Sequence, residues 1–277
     1  MTSTVLDGVL CLLLISAAVV TVTAATPNDP VGEGRAPNVA EALSTTTASV
    51  NYTLVAPDGS PADSAPATTL DRTAHGTLTE LLARAAVARI AVDDRRLSHT
   101  RDGLGRAVVR TVGAAIRANH TQVTAVWRPH PGSSITGRIA VGAPPPPGVP
   151  VHAATVTGPS GFPAARTAAD SRATPAVANA AATGVVEGLF PPTRTRIAAG
   201  RESPTATLVR QRYRRTSRLF GVSRRSNLSG GEVEAANDRL ASAMADRIAR
   251  DASRSNASMR RTAVRIDQVR ITVRTWP

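Results

Sequence analysis

Between Arg201 and Arg225 eight arginines (Arg201, Arg210, Arg212, Arg214, Arg215, Arg218, Arg224 and Arg225) stand against a single acid, Glu202. A guanidinium is a planar, permanently charged fork that grips carboxylate or phosphate oxygens in pairs, so the chemistry open to this stretch is anion recognition and not proton transfer. Arg210, Arg214 and Arg218 recur every fourth residue. On a helix that spacing places them on one ridge, about 6 Å apart per step. Together with Arg212 and Arg215 they are the candidate contacts for an anionic partner, such as an acidic glycan, an acidic lipid or the acidic face of a neighbouring protein; the other reading of the run is a solvated face with no partner. Tyr213 and Phe220 are the aromatics within the stretch. Two rings are too few to stack a run of bases, so no specific nucleic acid is expected.

Other motifs point to no reaction. All 33 basic residues are arginine and lysine is absent, which removes the phosphate-loop lysine, the Schiff-base lysine and the serine–lysine dyad. Cys11 is the single cysteine, which leaves no intramolecular disulfide and no thiolate metal cluster. Leu228-Ser229-Gly230-Gly231-Glu232 is similar to an ATPase signature peptide, but without a Walker lysine it reads as a capping box opening an ordinary helix. The five histidines, His75, His99, His120, His130 and His152, lack the spacing of a zinc site. Asp93-Asp94 and Asp102 read as a helix end and a helix start. No catalytic residue, cofactor or metal is expected.

Those residues must be presented somewhere, and the N-terminus says where. Val9–Val22 is apolar without a charge, and the run extends from Val5 to Ala25 if Asp7 is tolerated at its end, long enough to span a bilayer. Residues 1–25 are therefore read as a membrane anchor or signal segment, retained in preference to cleaved, because a basic stretch before the run is missing. Residues 26–47, rich in Thr, Pro and Ala, are expected to be a tether, with residues 48–277 forming an extracytoplasmic domain. Sequons at Asn51, Asn119, Asn227 and Asn256 are candidate glycosylation sites and fit a domain outside the membrane.

Within 48–277 the periodicities predict both helices and strands. A strand-like island at Ala48–Ala56 stands in an otherwise stalk-like region that reaches Gly76. A capping box at Thr77-Leu78-Thr79-Glu80 opens a helix to about Val92, with Leu78, Leu81, Leu82, Ala85 and Ala86 on its buried stripe. A second helix is expected over Thr100–Asn119, with Leu104, Val108, Val112, Ala115 and Ile116 inward and Arg101, Arg106, Arg110 and Arg117 in solvent. Strands are expected at Gln122–Arg128, Ile135–Val141 and Val149–Thr157, followed by a loop or disordered insert near 160–178. Further helices are predicted over Val177–Leu189, from Ser203-Pro204 through Leu219, and from Ser229 through Ile248. The chain closes with a strand over Thr262–Trp276. Its apolar phase changes between Val264/Ile266 and Val269/Ile271/Val273, which predicts a bulge near Asp267-Gln268 and leaves Arg265, Arg270 and Arg274 facing solvent.

The opening Met1-Thr2-Ser3-Thr4-Val5-Leu6-Asp7 running into LCLLLISAAVVT, with the closing Val269-Arg270-Ile271-Thr272-Val273-Arg274-Thr275-Trp276, resembles an uncharacterised family of haloarchaeal membrane-anchored proteins. That resemblance implies a component associated with archaeal type IV pilus-like, Tad-like secretion machinery, with secretion or pilus assembly proteins as partners. It carries no catalytic residues over. The net charge of +13 departs from the acidic composition usual in haloarchaea. The expectation is an α+β protein: an N-terminal transmembrane helix, then a small, mostly antiparallel sheet packed with helices, serving a non-enzymatic structural or assembly role at the cell surface. The alternative is a cytoplasmic-facing basic domain that binds nucleic acid or acidic lipid.

Overall fold

The computed structural model describes residues 35–55, 69–117, 119–165, 174–199, 204–222, 232–254 and 264–277. Its elements are, in order, α1 (Arg35–Thr45), β1 (Thr47–Val55), β2 (Thr69–Thr77), α2 (Leu78–Ala88), β3 (Ala91–Val92), β4 (Arg95–Arg96), α3 (Asp102–Ala115), β5 (Thr121–Trp127), β6 (Ile135–Val141), β7 (His152–Pro159), α4 (Thr174–Leu189), α5 (Pro192–Ala199), α6 (Pro204–Leu219), α7 (Val233–Arg254) and β8 (Gln268–Thr275). The fold is α+β with antiparallel sheets, as expected. Among the described residues no helix is long and apolar enough to cross a membrane. The apolar run of residues 1–25 lies outside them.

A six-stranded sheet in the order β4-β3-β6-β5-β8-β7 organises the molecule, and β1 and β2 form a separate two-stranded ribbon. Alternation along the strands decides which face is covered. Val123, Ala125 and Trp127 of β5, Ile135, Ile139 and Val141 of β6, and Val269, Ile271 and Val273 of β8 are buried, and the register pairs Ala125 with both Ile139 and Ile271. The opposite parity carries Arg138, Arg270 and Arg274, all exposed. One face is thus core and the other is open to water.

Helix α2 lies on the buried face and follows its sequence closely. Thr77 Oγ1 accepts from the Glu80 amide at 3.2 Å and the Glu80 carboxylate accepts from the Thr77 amide at 3.1 Å, which is the expected capping box. Leu78, Leu81, Leu82, Ala85 and Ala86 are all buried. Small residues let this helix touch the sheet: a Cβ on Gly137 would sit 2.3 Å from the Ala86 carbonyl oxygen. Helix α3 buries Leu104, Val108 and Val112 as expected but ends at Ala115, which is exposed, and leaves Ile116 half-buried.

Several expectations are corrected. The tether assigned to 26–47 gives way at Arg35 to helix α1, whose Ala36, Ala40 and Leu43 are buried, so the folded domain starts before residue 48. Alanine and threonine richness hid an amphipathic repeat of three and four. The stalk reaching Gly76 contains β2, which pairs in register with β1 from Val55↔Thr69 to Thr47↔Thr77. Alternation there is too polar to stand out, because the ribbon exposes much of its surface. Asp93 and Asp94 do not end a long helix. They form the two-residue turn between β3 and β4, with φ of 47° and 62°, a hairpin geometry in which Asp is tolerated. The insert near 160–178 is ordered at both ends: Ser160 Oγ donates to the Ile266 carbonyl at 2.7 Å, the Phe162 ring meets Trp127 edge-on at 5.1 Å, and α4 begins at Thr174. Residues 166–173 lie outside the described set. The phase change before β8 is made by a turn at Ile266-Asp267 ahead of a strand that starts at Gln268, not by a bulge within it, and it brings both apolar sets inside.

After β7 the described elements are helical up to β8. Helices α4 and α7 pack against each other, and α4 brings Gly184 and Gly188 up to the Ile266 and Phe162 side chains. Asp251 on α7, only 4% exposed, accepts from the Ser134 amide at 2.8 Å and from Ser134 Oγ at 2.5 Å. Arg247 bridges Asp251 and Asp93. Burial pulls the Arg247 guanidinium down, but those two carboxylates outweigh it and hold it above its ordinary value. This cluster clamps α7 to the β3–β4 turn and to the start of β6, and the sequence offered no local signal for it.

Candidate functional site: the arginine helix and its cleft

Helix α6 is amphipathic with a highly charged outer face. Ala206, Leu208, Tyr213 and Thr216 turn inward, and the Tyr213 ring meets Phe190, at the end of α4, edge-on at 4.9 Å. Burial raises the Tyr213 phenol to about 12, against the lowering pull of Arg239 and Ser217. The Ser203 cap expected for this helix lies outside the described residues, as do Arg201, Glu202, Arg224 and Arg225.

The five candidate arginines divide into different environments. Arg214 and Arg218 are exposed, one turn apart, and neither pairs with an acid among the described residues. Arg210, expected on the same open ridge, is half-buried and has an interaction of its own. The fully exposed part of the ridge is therefore Arg214 and Arg218, with Arg210 half-buried beside them. Arg215 is fixed: its Nε donates to the Arg96 carbonyl at 2.8 Å and its terminal nitrogen lies 3.4 Å from His99 Nε2. His99 in turn places Nδ1 3.2 Å from Asp102, which also accepts from Arg96 at 2.5 Å. A proton on Nδ1 satisfies Asp102 and leaves Nε2 to accept from Arg215, so this chain ties α6 to the β4–α3 loop.

Arg212 points the other way. Its guanidinium lies over the Phe190 ring, 5.4 Å from the centroid, and it lines a partly open cleft of about 150 Å³. Burial, with the like charge of Arg101 added, pulls its pKa down to about 10. Arg101, placed by the sequence on a solvated helix face, stands at the rim of the same cleft. The walls are mostly apolar and come from β1, α2, the β3–β4 region, α4 and α6, stretches far apart in sequence. Sequence periodicity places side chains on one face of one helix, so it had no means of finding this convergence.

Of the candidate glycosylation sites, Asn51 is exposed on β1 and accepts from Thr73 Oγ1 at 2.8 Å, and the hydroxyl of its own sequon threonine, Thr53, donates to Asp71 at 2.8 Å. Asn119 is exposed in the turn before β5, while its sequon threonine, Thr121, is fully buried. Asn227 and Asn256 lie outside the described residues. Among the described residues no group of three or more His, Cys, Asp or Glu side chains is placed to hold a metal ion.

Residues 6–276 match the model of a family of unknown function, DUF7284. The chain belongs to this family. No curated protein matches it, and no solved structure does. The DUF7284 match runs from within the apolar N-terminal run to Trp276, so it takes in both the N-terminal segment and every described element.

Proposed function

We propose that this chain is a non-enzymatic, membrane-anchored cell-surface protein that docks an acidic partner, as a structural or assembly component of a type IV pilus-like secretion system. The observation that carries the docking role is the pair Arg214 and Arg218: exposed, one helical turn apart, and without an acid among the described residues. Long cations that are neither packed nor paired contribute little to the fold, and they suit a polyanionic surface offered from outside. The rigid attachment of α6 through Arg215 and Tyr213 supports the same role, because a docking ridge gains specificity from being held still. The apolar run at residues 5–25 supports attachment to a membrane, and the resemblance of the two chain ends supports the pilus-like assignment.

A second reading, a basic domain facing the cytoplasm and binding nucleic acid or acidic lipid, draws on the open sheet face with Arg138, Arg270 and Arg274. Protease added to intact cells separates the two, since digestion of the folded domain from outside rules out the cytoplasmic orientation. For the docking itself, binding of full-length protein in detergent to an acidic polymer is expected to weaken steeply with salt, and further with Arg214→Glu and Arg218→Glu combined. Unchanged binding in that variant would remove the ridge from the proposal.

A further inference from the structure

The cleft beneath α6 combines two features that seldom coincide without a ligand. Its walls are aliphatic, with Ile90 and Leu97 from the β3–β4 region, Leu189 from the end of α4 and Leu208 from α6. Its polar content includes two guanidiniums, Arg101 and Arg212, close enough to repel each other. Among the described residues neither is paired with a carboxylate, although Asp102 is the very next residue after Arg101 and spends its oxygens on Arg96 and His99. Arg212 is half-buried, with the face of Phe190 against its guanidinium. A partly desolvated cation without a carboxylate partner carries a cost, and the cost is reduced when an anion arrives with an apolar body to fill the space.

We propose that this cleft binds a small organic carboxylate whose head group is shared by Arg101 and Arg212 and whose hydrocarbon body lies against Ile90, Leu97, Leu189 and Leu208. The volume of about 150 Å³ sets the scale. A cavity of that order admits a benzene ring, so with one side open the fitting ligand has about six to eight carbons and is not a long-chain lipid. Two planar forks facing one recess match the two oxygens of a carboxylate, and the mostly aliphatic walls, with Ser98, Thr100 and Thr205 the hydroxyls among them, favour a hydrocarbon body over a heavily hydroxylated one. The site is separate from the Arg214–Arg218 ridge, so it stands or falls independently of the docking role.

The test uses the full-length protein in detergent, with octanoate as probe and two controls: n-octanol, which keeps the tail and loses the charge, and acetate, which keeps the charge and loses the tail. Octanoate is expected to raise the thermal midpoint saturably, with neither control doing so at the same concentration. Arg101→Gln, at the exposed rim where folding is not at risk, is expected to raise the octanoate Kd about tenfold. Val209→Phe, which places a ring in the cleft, is expected to abolish the response while the protein still melts cooperatively. The Arg214→Glu/Arg218→Glu pair is expected to leave the octanoate Kd unchanged. Octanol binding as well as octanoate, or Arg101→Gln binding octanoate like the parent, would overturn the proposal. Equal loss in the Arg214→Glu/Arg218→Glu variant would also overturn it, by moving the anion to the outer ridge.

Discussion

The contact of α2 with the sheet and the setting of α6 solve opposite problems. Under α2, glycine and alanine bring backbone to backbone, with no room for one further carbon at Gly137. Around α6 the chain leaves a cleft of about 150 Å³ and puts two mutually repelling guanidiniums at it. The first arrangement makes sense as stability alone. The second makes the folded chain less stable than it needs to be, and that sacrifice is what marks it as the place where something else is recognised.

The largest effect should come from closing the tight contact. Gly137→Val drives a branched side chain into the Ala86 carbonyl and is expected to cost about 3 kcal/mol, read as a shifted urea midpoint; tolerance of valine there would mean that α2 is not seated as described. At the cleft the sign reverses. Arg212→Met keeps an apolar stem over Phe190 and removes an unpaired, desolvated cation, so the variant is expected to gain about 1 kcal/mol. A loss instead would show that the cation's interaction with the ring outweighs its desolvation.

The contrast sharpens at alkaline pH. Arg212 has a folded-state pKa below its ordinary value, so the folded state sheds this proton first and stability rises with pH from about 10 toward the ordinary arginine range. The advantage of Arg212→Met over the parent should therefore shrink over that window. Tyr213 works in the opposite sense: its folded pKa of about 12 lies above the ordinary 10.0, so its contribution is intact below 10 and lost as pH rises through 12. Tyr213→Phe should flatten that loss, and thermal midpoints measured across this range for parent and both variants separate the two terms. The smallest effect belongs to the outer ridge, where Arg214→Glu with Arg218→Glu is expected to change stability by no more than about 0.5 kcal/mol. A larger loss would mean that these side chains pack against the chain itself.

Much of the sheet side could be read in advance, because its elements obey single periods. The stripe of α2, the strand Ile135–Val141 and the apolar set of β8 each announce themselves within a few residues. Helix α1 and strand β2 did not, since alanine and threonine carry too little hydropathy contrast to show a face. For the arginines the sequence supplied identity and spacing but not direction. Arg212 and Arg214 are neighbours in any count of charge, yet one lies over a ring and the other in water, and the difference arises from Phe190, which follows the end of α4. Arg101 was legible only as one more surface charge, because its significance depends on what α6 brings opposite it.

The uncovered face of the six-stranded sheet bears on how two copies of this chain meet. An uncovered sheet face with an apolar strip can stack on its twin. Here Arg138 lies across the half-buried Val126 from Arg270, with Arg274 further along the same face, so any apolar strip at its centre is bordered by like charges. Two copies approaching face to face bring these cations together before Val126 can be covered. Mutual repulsion thus acts as a spacer between neighbours, strongest in dilute salt and weaker as ionic strength rises.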